Sequence, residues 1–254
     1  MNFIVQNEKT RNGTVALIEI STGKENTFTA KSLGELSEIL SVISGDDNIS
    51  GILFHSTNDR FFSNGLDIPN MYQTPDESLE NELFALTGFF QNLLLFPKPA
   101  VAEISGHAMG AGAVLAIGCD NRYMLAKGCR IGFPEVHLGL PMPQSFVSRL
   151  RHIVHPADVT RLCLEGKAYK GEQALSSGIV DSIFENNEDL RKGSLNKLNE
   201  LFKIPLQSFK LAKYGLNISI TEAYGKQEED MKAIVCRNDF KSRLKDNLRN
   251  ILKT

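Results

Sequence analysis

The stretch GHAMGAGAVLAIGCD, residues 106–120, holds four glycines among small apolar residues, with no acid or base between His107 and Asp120. It follows AVAEI at residues 100–104, a short apolar run that predicts a strand. Small residues where a helix begins leave backbone N–H groups accessible, at the positive end of the helix dipole. The simpler interpretation is that the glycines only let a helix pack closely on the strand. The spacing of dinucleotide-binding and phosphate-binding turns is absent.

On either side of this stretch, strands and helices alternate. TVALIEI at residues 14–20 and GILFHS at 51–56 are typical of buried strands, and residues 31–44 between them have apolar residues at helical spacing. A second helix is predicted over residues 77–96. Further strand candidates are RYMLA at 122–126, CRIGF at 129–133 and GIVDSIF at 178–184. The chain is otherwise helical from about residue 156 onward, with one long helical run over 221–252. This order predicts an α/β fold.

Composition excludes several classes of protein. A 254-residue chain with 42% hydrophobic residues and a formal net charge of -2 is ordinary for a protein with a large core, and it argues against nucleic-acid binding. The four cysteines show no CxxC spacing, and His152 and His155 lack the acidic partner of an HExxH site, so no metal is expected. No signal peptide or membrane span is recognisable. We expect a cytoplasmic protein that does not enter membranes.

A second glycine-containing loop could supply another backbone donor. RFFSNGLDIPNM, residues 60–71, places Ser, Asn and Gly just after the strand at 51–56. Two backbone N–H groups from separate turns can together hold a developing negative charge, as an oxyanion hole does. Each loop alone is weak support for such a site.

Three motifs taken together are specific. FFSNGLDIPNM at 61–71, ISGHAMGAGAVLAIGCD at 104–120 and RIGFPEVHLGL at 130–140 resemble the enoyl-CoA hydratase/isomerase family, the crotonases. The resemblance covers nearly the whole chain. It implies a spiral of ββα turns over residues 1–190 and a helical C-terminal trimerisation region over 191–254. We therefore expect a homotrimer or a dimer of trimers.

The resemblance also implies a substrate and a way to bind it. In the family, two backbone N–H groups bind the thioester carbonyl oxygen of an acyl-CoA. By motif, these donors fall on Leu66 and on Ala111, where many members have glycine. Coenzyme A is then part of the substrate, and no other cofactor is implied.

The pattern of carboxylates resembles the Δ3,Δ2-enoyl-CoA isomerase branch. Hydratases of the family use two glutamates to hold a water; here one position is Glu135 and the other is Val114. Moving a double bond from C3–C4 to C2–C3 needs one base, which takes a proton from C2 and returns it at C4. An apolar Val114 would exclude water and raise the pKa of Glu135.

Other residues receive binding or structural roles. We expect substrate contacts from Phe62, Asn64, Gly65, Gly110, Val114 and Leu140. Phe61, Met71, Phe84 and Phe146 are either further walls of an acyl tunnel or, as is the default for apolar residues, part of the core. Pro141 and Pro143 reshape a loop that borders the acyl pocket in relatives. Asp67, Asp120 and His107 are interpreted as structural.

The sequence thus predicts an enzyme of fatty-acid metabolism that isomerises 3-enoyl-CoA to 2-enoyl-CoA. Four alternatives stay open: hydration, decarboxylation, thioester hydrolysis, and a catalytically silent member that only binds CoA esters. Binding of RNA is disfavoured by the acidic balance of charges.

Overall fold

The computed structural model describes residues 2–75, 78–140, 142–222, 228–235, 237 and 239–251. Its strands are short, apart from the first two. In chain order they are β1 (Phe3–Lys9), β2 (Thr14–Ile20), β3 (Thr27–Phe28), β4 (Gly51–His55), β5 (Phe61–Ser63), β6 (Gly65–Leu66), β7 (Ala100–Ile104), β8 (His107–Met109), β9 (Asn121–Leu125), β10 (Ile131–Gly132), β11 (Ala168–Tyr169) and β12 (Ser182–Phe184).

The helices fill the intervals between strands and make up the C-terminal part of the chain. They are α1 (Ala30–Gly45), α2 (Ile68–Gln73), α3 (Leu79–Leu94), α4 (Ala111–Gly118), α5 (Gln144–Ile153), α6 (Pro156–Leu164), α7 (Gly171–Ser177), α8 (Asn187–Leu201), α9 (Leu206–Glu222), α10 (Glu228–Val235) and α11 (Phe240–Ile251). A 3₁₀ helix covers Pro134–Leu138. Among the described residues, no helix is long and apolar enough to cross a bilayer.

The described strands form two main sheets and a two-stranded sheet of β3 and β6. Of the main sheets, the larger has the order β1-β2-β4-β7-β9-β12, and the smaller has the order β11-β10-β8-β5. Strands β4, β7 and β9 are parallel neighbours in the larger sheet, and each is followed in sequence by a strand of the smaller sheet. A helix then follows, as α4 follows β7 and β8. These are the predicted ββα turns, and the predicted fold class is confirmed.

Most predicted elements are present. The strands expected at 14–20, 51–56 and 100–104 are β2, β4 and β7, and the helices expected at 31–44 and 77–96 are α1 and α3. The two glycine segments differ from the prediction because each includes short strands. Strands of two or three residues, such as β6 and β8, are too short for an alternating pattern to be recognised.

The described parts of the predicted helical run over 221–252 are helical, apart from a bend at Arg237 and a turn at Asp239 between α10 and α11. α9 ends at Glu222 and α10 begins at Glu228, and α11 begins only at Phe240. The described parts of α10 pack against α3, and those of α11 pack against the 3₁₀ helix of the same chain. The division at residues 190 and 191 falls inside α8, which continues through it and packs on the larger sheet.

Helix α4 is the central element of the core. All eight of its residues are buried, and a Cβ on Gly112 would lie 2.4 Å from the carbonyl oxygen of Ser63, so only glycine lets α4 approach β5 this closely. At the other end of the helix, the Arg149 guanidinium donates to the carbonyls of Ile117 and Cys119. A cation at a helix C-terminus complements the helix dipole. Close packing at one end and capping at the other fix the position of α4.

Candidate active site

The two glycine turns meet at the N-terminus of α4. Gly65 and Gly110 have φ angles of 98° and 52°, a backbone region that glycine adopts without strain. A Cβ placed on Gly65 would lie 3.1 Å from the carbonyl oxygen of Met109 and 3.4 Å from the backbone nitrogen of Ala111. A Cβ on Gly110 would lie 3.3 Å from Oε1 of Glu135. The fold therefore brings the three sequence motifs together within van der Waals distance.

Ala111 has a backbone N–H that the helix does not use. It is the first residue of α4, and the first helical hydrogen bond of this turn runs from the Val114 nitrogen to the Gly110 carbonyl, at 2.9 Å. The N–H groups that precede this bond have no acceptor within a helix. That of Ala111 also lies at the positive end of the helix dipole. Since Ala111 lines a cavity, its N–H is suited to bind a developing oxyanion.

Leu66 is placed by pairing between β6 and β3. Its partner in the parallel register is Phe28, whose carbonyl accepts a 2.8 Å hydrogen bond from the nitrogen of Asp67. In a parallel pair of strands, only one residue of each register pair forms hydrogen bonds to the other strand. Here that residue is Phe28, so the N–H of Leu66 points away from β3. Leu66 lines the same cavity as Ala111. The position of both residues supports the predicted pair of donors.

Glu135 lies on the 3₁₀ helix, whose backbone holds it in place. Its carbonyl oxygen accepts hydrogen bonds from the nitrogens of Gly139 and Leu140. The residue as a whole is half-buried, but Oε2 is inaccessible to solvent and has no hydrogen-bond partner among the described residues. Burial raises the pKa of the Glu135 carboxyl to about 7. A carboxylate with such a pKa can accept a proton and return it near neutral pH.

The cavity that these groups share is narrow and mostly apolar. Its volume is about 70 Å³. Six of the eight predicted substrate-contact and donor residues line it, together with the predicted base: Asn64, Gly65, Leu66, Gly110, Ala111, Leu140 and Glu135. Phe146 and Pro143 line it as well, whereas Pro141 lies outside the described residues. Glu135 is the one ionisable side chain among the described lining residues.

Phe62 and Val114 lie in the main core and do not line this cavity, so their predicted contacts with substrate stay predictions. Both side chains are fully buried among other apolar residues. The side chains of β5 alternate between its two faces, which directs Phe62 into the core, and α4 is buried on every side, which encloses Val114. Val114 therefore does not shield Glu135 from water as a wall of the cavity.

Three further candidate tunnel residues do not line this cavity. Phe61 packs edge-on against His107, Met71 lies in a smaller apolar cluster behind the cavity, and Phe84 is not part of the lining. The walls come instead from residues that the sequence analysis did not single out. These are Ile68, Leu83, Leu86, Thr87, Pro134 and Leu138. The apolar face of α3 was visible in the sequence, but helical spacing does not distinguish a cavity wall from core.

The residues interpreted as structural have structural contacts. An oxygen of Asp67 accepts the 2.9 Å hydrogen bond from the nitrogen of Asn70 at the start of α2. Asp120 accepts from the nitrogen of Ala100 and pairs with Lys213 Nζ at 2.9 Å. Burial lowers the pKa of His107, whose ring packs on Phe61. The described part of the chain holds no group of three or more His, Cys, Asp or Glu side chains that could bind a metal ion.

Comparison with known families agrees with this geometry. The sequence model of the enoyl-CoA hydratase/isomerase family matches residues 10–242. The chain belongs to this family. Among members of the enoyl-CoA hydratase/isomerase family, the chain is 27% identical over 219 residues to a short-chain-enoyl-CoA hydratase of Clostridium acetobutylicum, covering 85% of this chain and 81% of the relative. It is 29% identical over 185 residues to the peroxisomal enoyl-CoA delta isomerase 2 of Arabidopsis thaliana, covering 70% and 77%.

A solved structure shows the same fold along the whole chain. Human mitochondrial Δ3-Δ2-enoyl-CoA isomerase superposes with a TM-score of 0.90 at 21% identity, over 100% of this chain and 99% of that one. The named relatives in the enoyl-CoA hydratase/isomerase family thus include both hydratases and isomerases. Membership of the family therefore leaves the choice between these reactions to the chemistry of the site.

Proposed function

We propose that this chain isomerises a 3-enoyl-CoA to the conjugated 2-enoyl-CoA, with Glu135 as the proton-transferring base. The observation that carries the proposal is the single carboxyl in an otherwise apolar cavity. Among the described lining residues, only Glu135 can ionise, and burial brings its pKa to about 7. A hydratase that holds its water between two carboxylates would need a second acid, and the corresponding position is Val114, buried in the core.

The reaction is a proton transfer within one substrate. The Glu135 carboxylate removes a proton from C2, and the electron pair passes into the conjugated system toward the thioester oxygen. The N–H groups of Leu66 and Ala111 stabilise the charge on that oxygen. Protonated Glu135 then returns the proton at C4, which leaves the double bond between C2 and C3. No atoms are gained or lost, so the reaction needs no cofactor beyond the coenzyme A of the substrate.

The experiment that tests the proposal is product analysis. The purified protein is incubated with a 3-enoyl-CoA and, separately, with a 2-enoyl-CoA in water. Conjugation of the first substrate without hydration of the second supports the isomerase. Hydration of the 2-enoyl-CoA as the main reaction would favour the hydratase, and the absence of both would favour another reaction of the family or a protein that only binds CoA esters.

We predict that kcat/KM for isomerisation rises with pH and levels off above about 7. The base form of Glu135 is ionised above its raised pKa of about 7 and protonated below it. A single active base gives a fall of about tenfold per pH unit below its pKa. The measurement is the rate of conjugation at subsaturating substrate from pH 5 to 9. A flat profile between about pH 5 and 8 would rule out a base with this pKa.

Self-association through α9 is part of the proposal. Leu211, Tyr214 and Leu216 on this helix are 70%, 51% and 69% exposed. Apolar side chains grouped on one exposed helix favour contact with another protein surface. They support self-association of this chain, for which we propose the expected homotrimer or dimer of trimers, whereas the described parts of α10 and α11 pack on their own chain.

A further inference from the structure

The cavity beside Glu135 has little room for an acyl chain. Its volume of about 70 Å³ is far below the roughly 300–1,000 Å³ of sites that enclose drug-sized ligands. A substrate whose thioester carbonyl lies at Ala111 must place its acyl carbons past Glu135. The number of acyl carbons that can enter therefore depends on the residues that pack behind the apolar walls of the cavity.

One wall of the cavity is a single layer of side chains. Leu66, Ile68, Leu83, Leu138 and Leu140 line the cavity and also belong to, or pack against, a second apolar cluster that is separate from the main core. The other members of this cluster include Val235, Phe240 and Leu244 from the C-terminal helices. We name Val235, Phe240 and Leu244 the backing residues.

The backing residues cannot easily move away. Phe240 and Leu244 are 2% and 1% exposed, and α11 packs against the 3₁₀ helix that carries Glu135. Polar contacts hold the same helices at two further points. Lys232 Nζ pairs with Glu80 of α3 at 2.9 Å, and Lys241 Nζ donates to the carbonyl oxygen of Thr74 at 2.5 Å.

We propose that Phe240 and Leu244 limit the substrate to short acyl chains, because they prevent the leucines of the cavity wall from moving outward. Protein interiors are packed without spare volume, so each added methylene must displace this wall. The inference rests on the proposed function in taking this cavity as the acyl site. It makes the C-terminal helices of the chain a determinant of substrate specificity.

The first test measures the binding of saturated acyl-CoAs, which cannot be isomerised. Calorimetry compares butyryl-, hexanoyl-, octanoyl- and dodecanoyl-CoA with the full-length wild-type protein. We expect the affinity to fall at least about tenfold between butyryl- and dodecanoyl-CoA, since the added methylenes meet a closed wall. Equal or increasing affinity along the series would overturn the proposal.

The second test changes the wall from behind. Phe240→Ala is expected to reduce the ratio of butyryl- to dodecanoyl-CoA affinity about tenfold, and Phe240→Leu should shift it less in the same direction. Phe3→Ala is the matched control, because Phe3 is a buried phenylalanine, 4% exposed, in the main core on β1. It should leave the ratio unchanged. An unchanged ratio in folded Phe240→Ala or Phe240→Leu would contradict the proposal.

Binding and turnover separate the two proposals. If the protein discriminates acyl chain lengths but conjugates no 3-enoyl-CoA, the proposed role of Phe240 is supported and the proposed isomerase activity is contradicted. If the protein isomerises short and long substrates with equal kcat/KM and binds them equally, the isomerase activity is supported and the proposed role of Phe240 is contradicted.

Discussion

Glu135→Gln is expected to lower kcat for the conversion of a 3-enoyl-CoA to the 2-enoyl-CoA by roughly 10²–10⁴-fold. Glutamine has nearly the same size and shape, so the cavity and the position of the thioester should be retained. The amide cannot take the proton from C2 or return it at C4, and the described lining offers no other ionisable side chain to replace it. The measurement is the absorbance of the conjugated product under saturating substrate.

The stability of Glu135→Gln is an independent check on the raised pKa of Glu135. Because the pKa of Glu135 is raised from 4.5 to about 7, the unfolded chain is ionised between these values while the folded chain stays protonated. Folding then costs free energy that grows as pH rises through this window and is largest above 7. Glu135→Gln removes this cost and should stabilise the protein by on the order of 3 kcal/mol at pH 8. Below about pH 4.5 the gain should vanish.

A surface variant distinguishes loss of the base from loss of a negative charge. Glu165 is exposed and pairs with Lys167 only at 3.9 Å. Glu165→Gln should change neither kcat nor the unfolding temperature measurably. If Glu135→Gln retained a third or more of the wild-type kcat, the base would have to be another group, and the assignment of Glu135 would be wrong.

Sequence alone predicted the groups that carry distinctive local signals. Gly65 and Gly110 could be located because turns with positive φ favour glycine, and Glu135 because the segment around it resembles the enoyl-CoA hydratase/isomerase family. The longer strands and helices could be predicted from their periodicity. The short strands β6 and β8 could not, since two or three residues contain no period.

The walls of the cavity depend on tertiary contacts that no local pattern contains. Leu83 and Phe90 both lie on the apolar side of α3, yet the first lines the cavity and the second lies in the main core. Phe62 and Val114 sit within the predicted motifs, but the faces of β5 and α4 that they occupy point into the core. Phe240 reaches the wall from more than a hundred residues away, because α11 packs back on the 3₁₀ helix.

Removal of the Ala111 donor should have the second-largest effect on catalysis. Ala111→Pro deletes the backbone N–H at the first position of α4, where a helix tolerates proline. Deleting one donor of an oxyanion hole typically lowers kcat about 10²–10³-fold, because the charge on the thioester oxygen appears only as the proton leaves C2. We expect a loss of this size in kcat, with a smaller change in KM. Steady-state kinetics on a 3-enoyl-CoA measure both.

Ala111→Val separates the lost donor from the added bulk. Valine has as many side-chain carbons as proline, but it keeps the backbone N–H at the start of α4. Its extra methyl groups add bulk at a buried residue of the cavity lining, so we expect its main effect on KM, through weaker binding of substrate and transition state alike. A kcat for Ala111→Val as low as that of Ala111→Pro would mean that bulk alone disturbs the site. The backbone of Ala111 would then have no demonstrated part in holding the oxyanion.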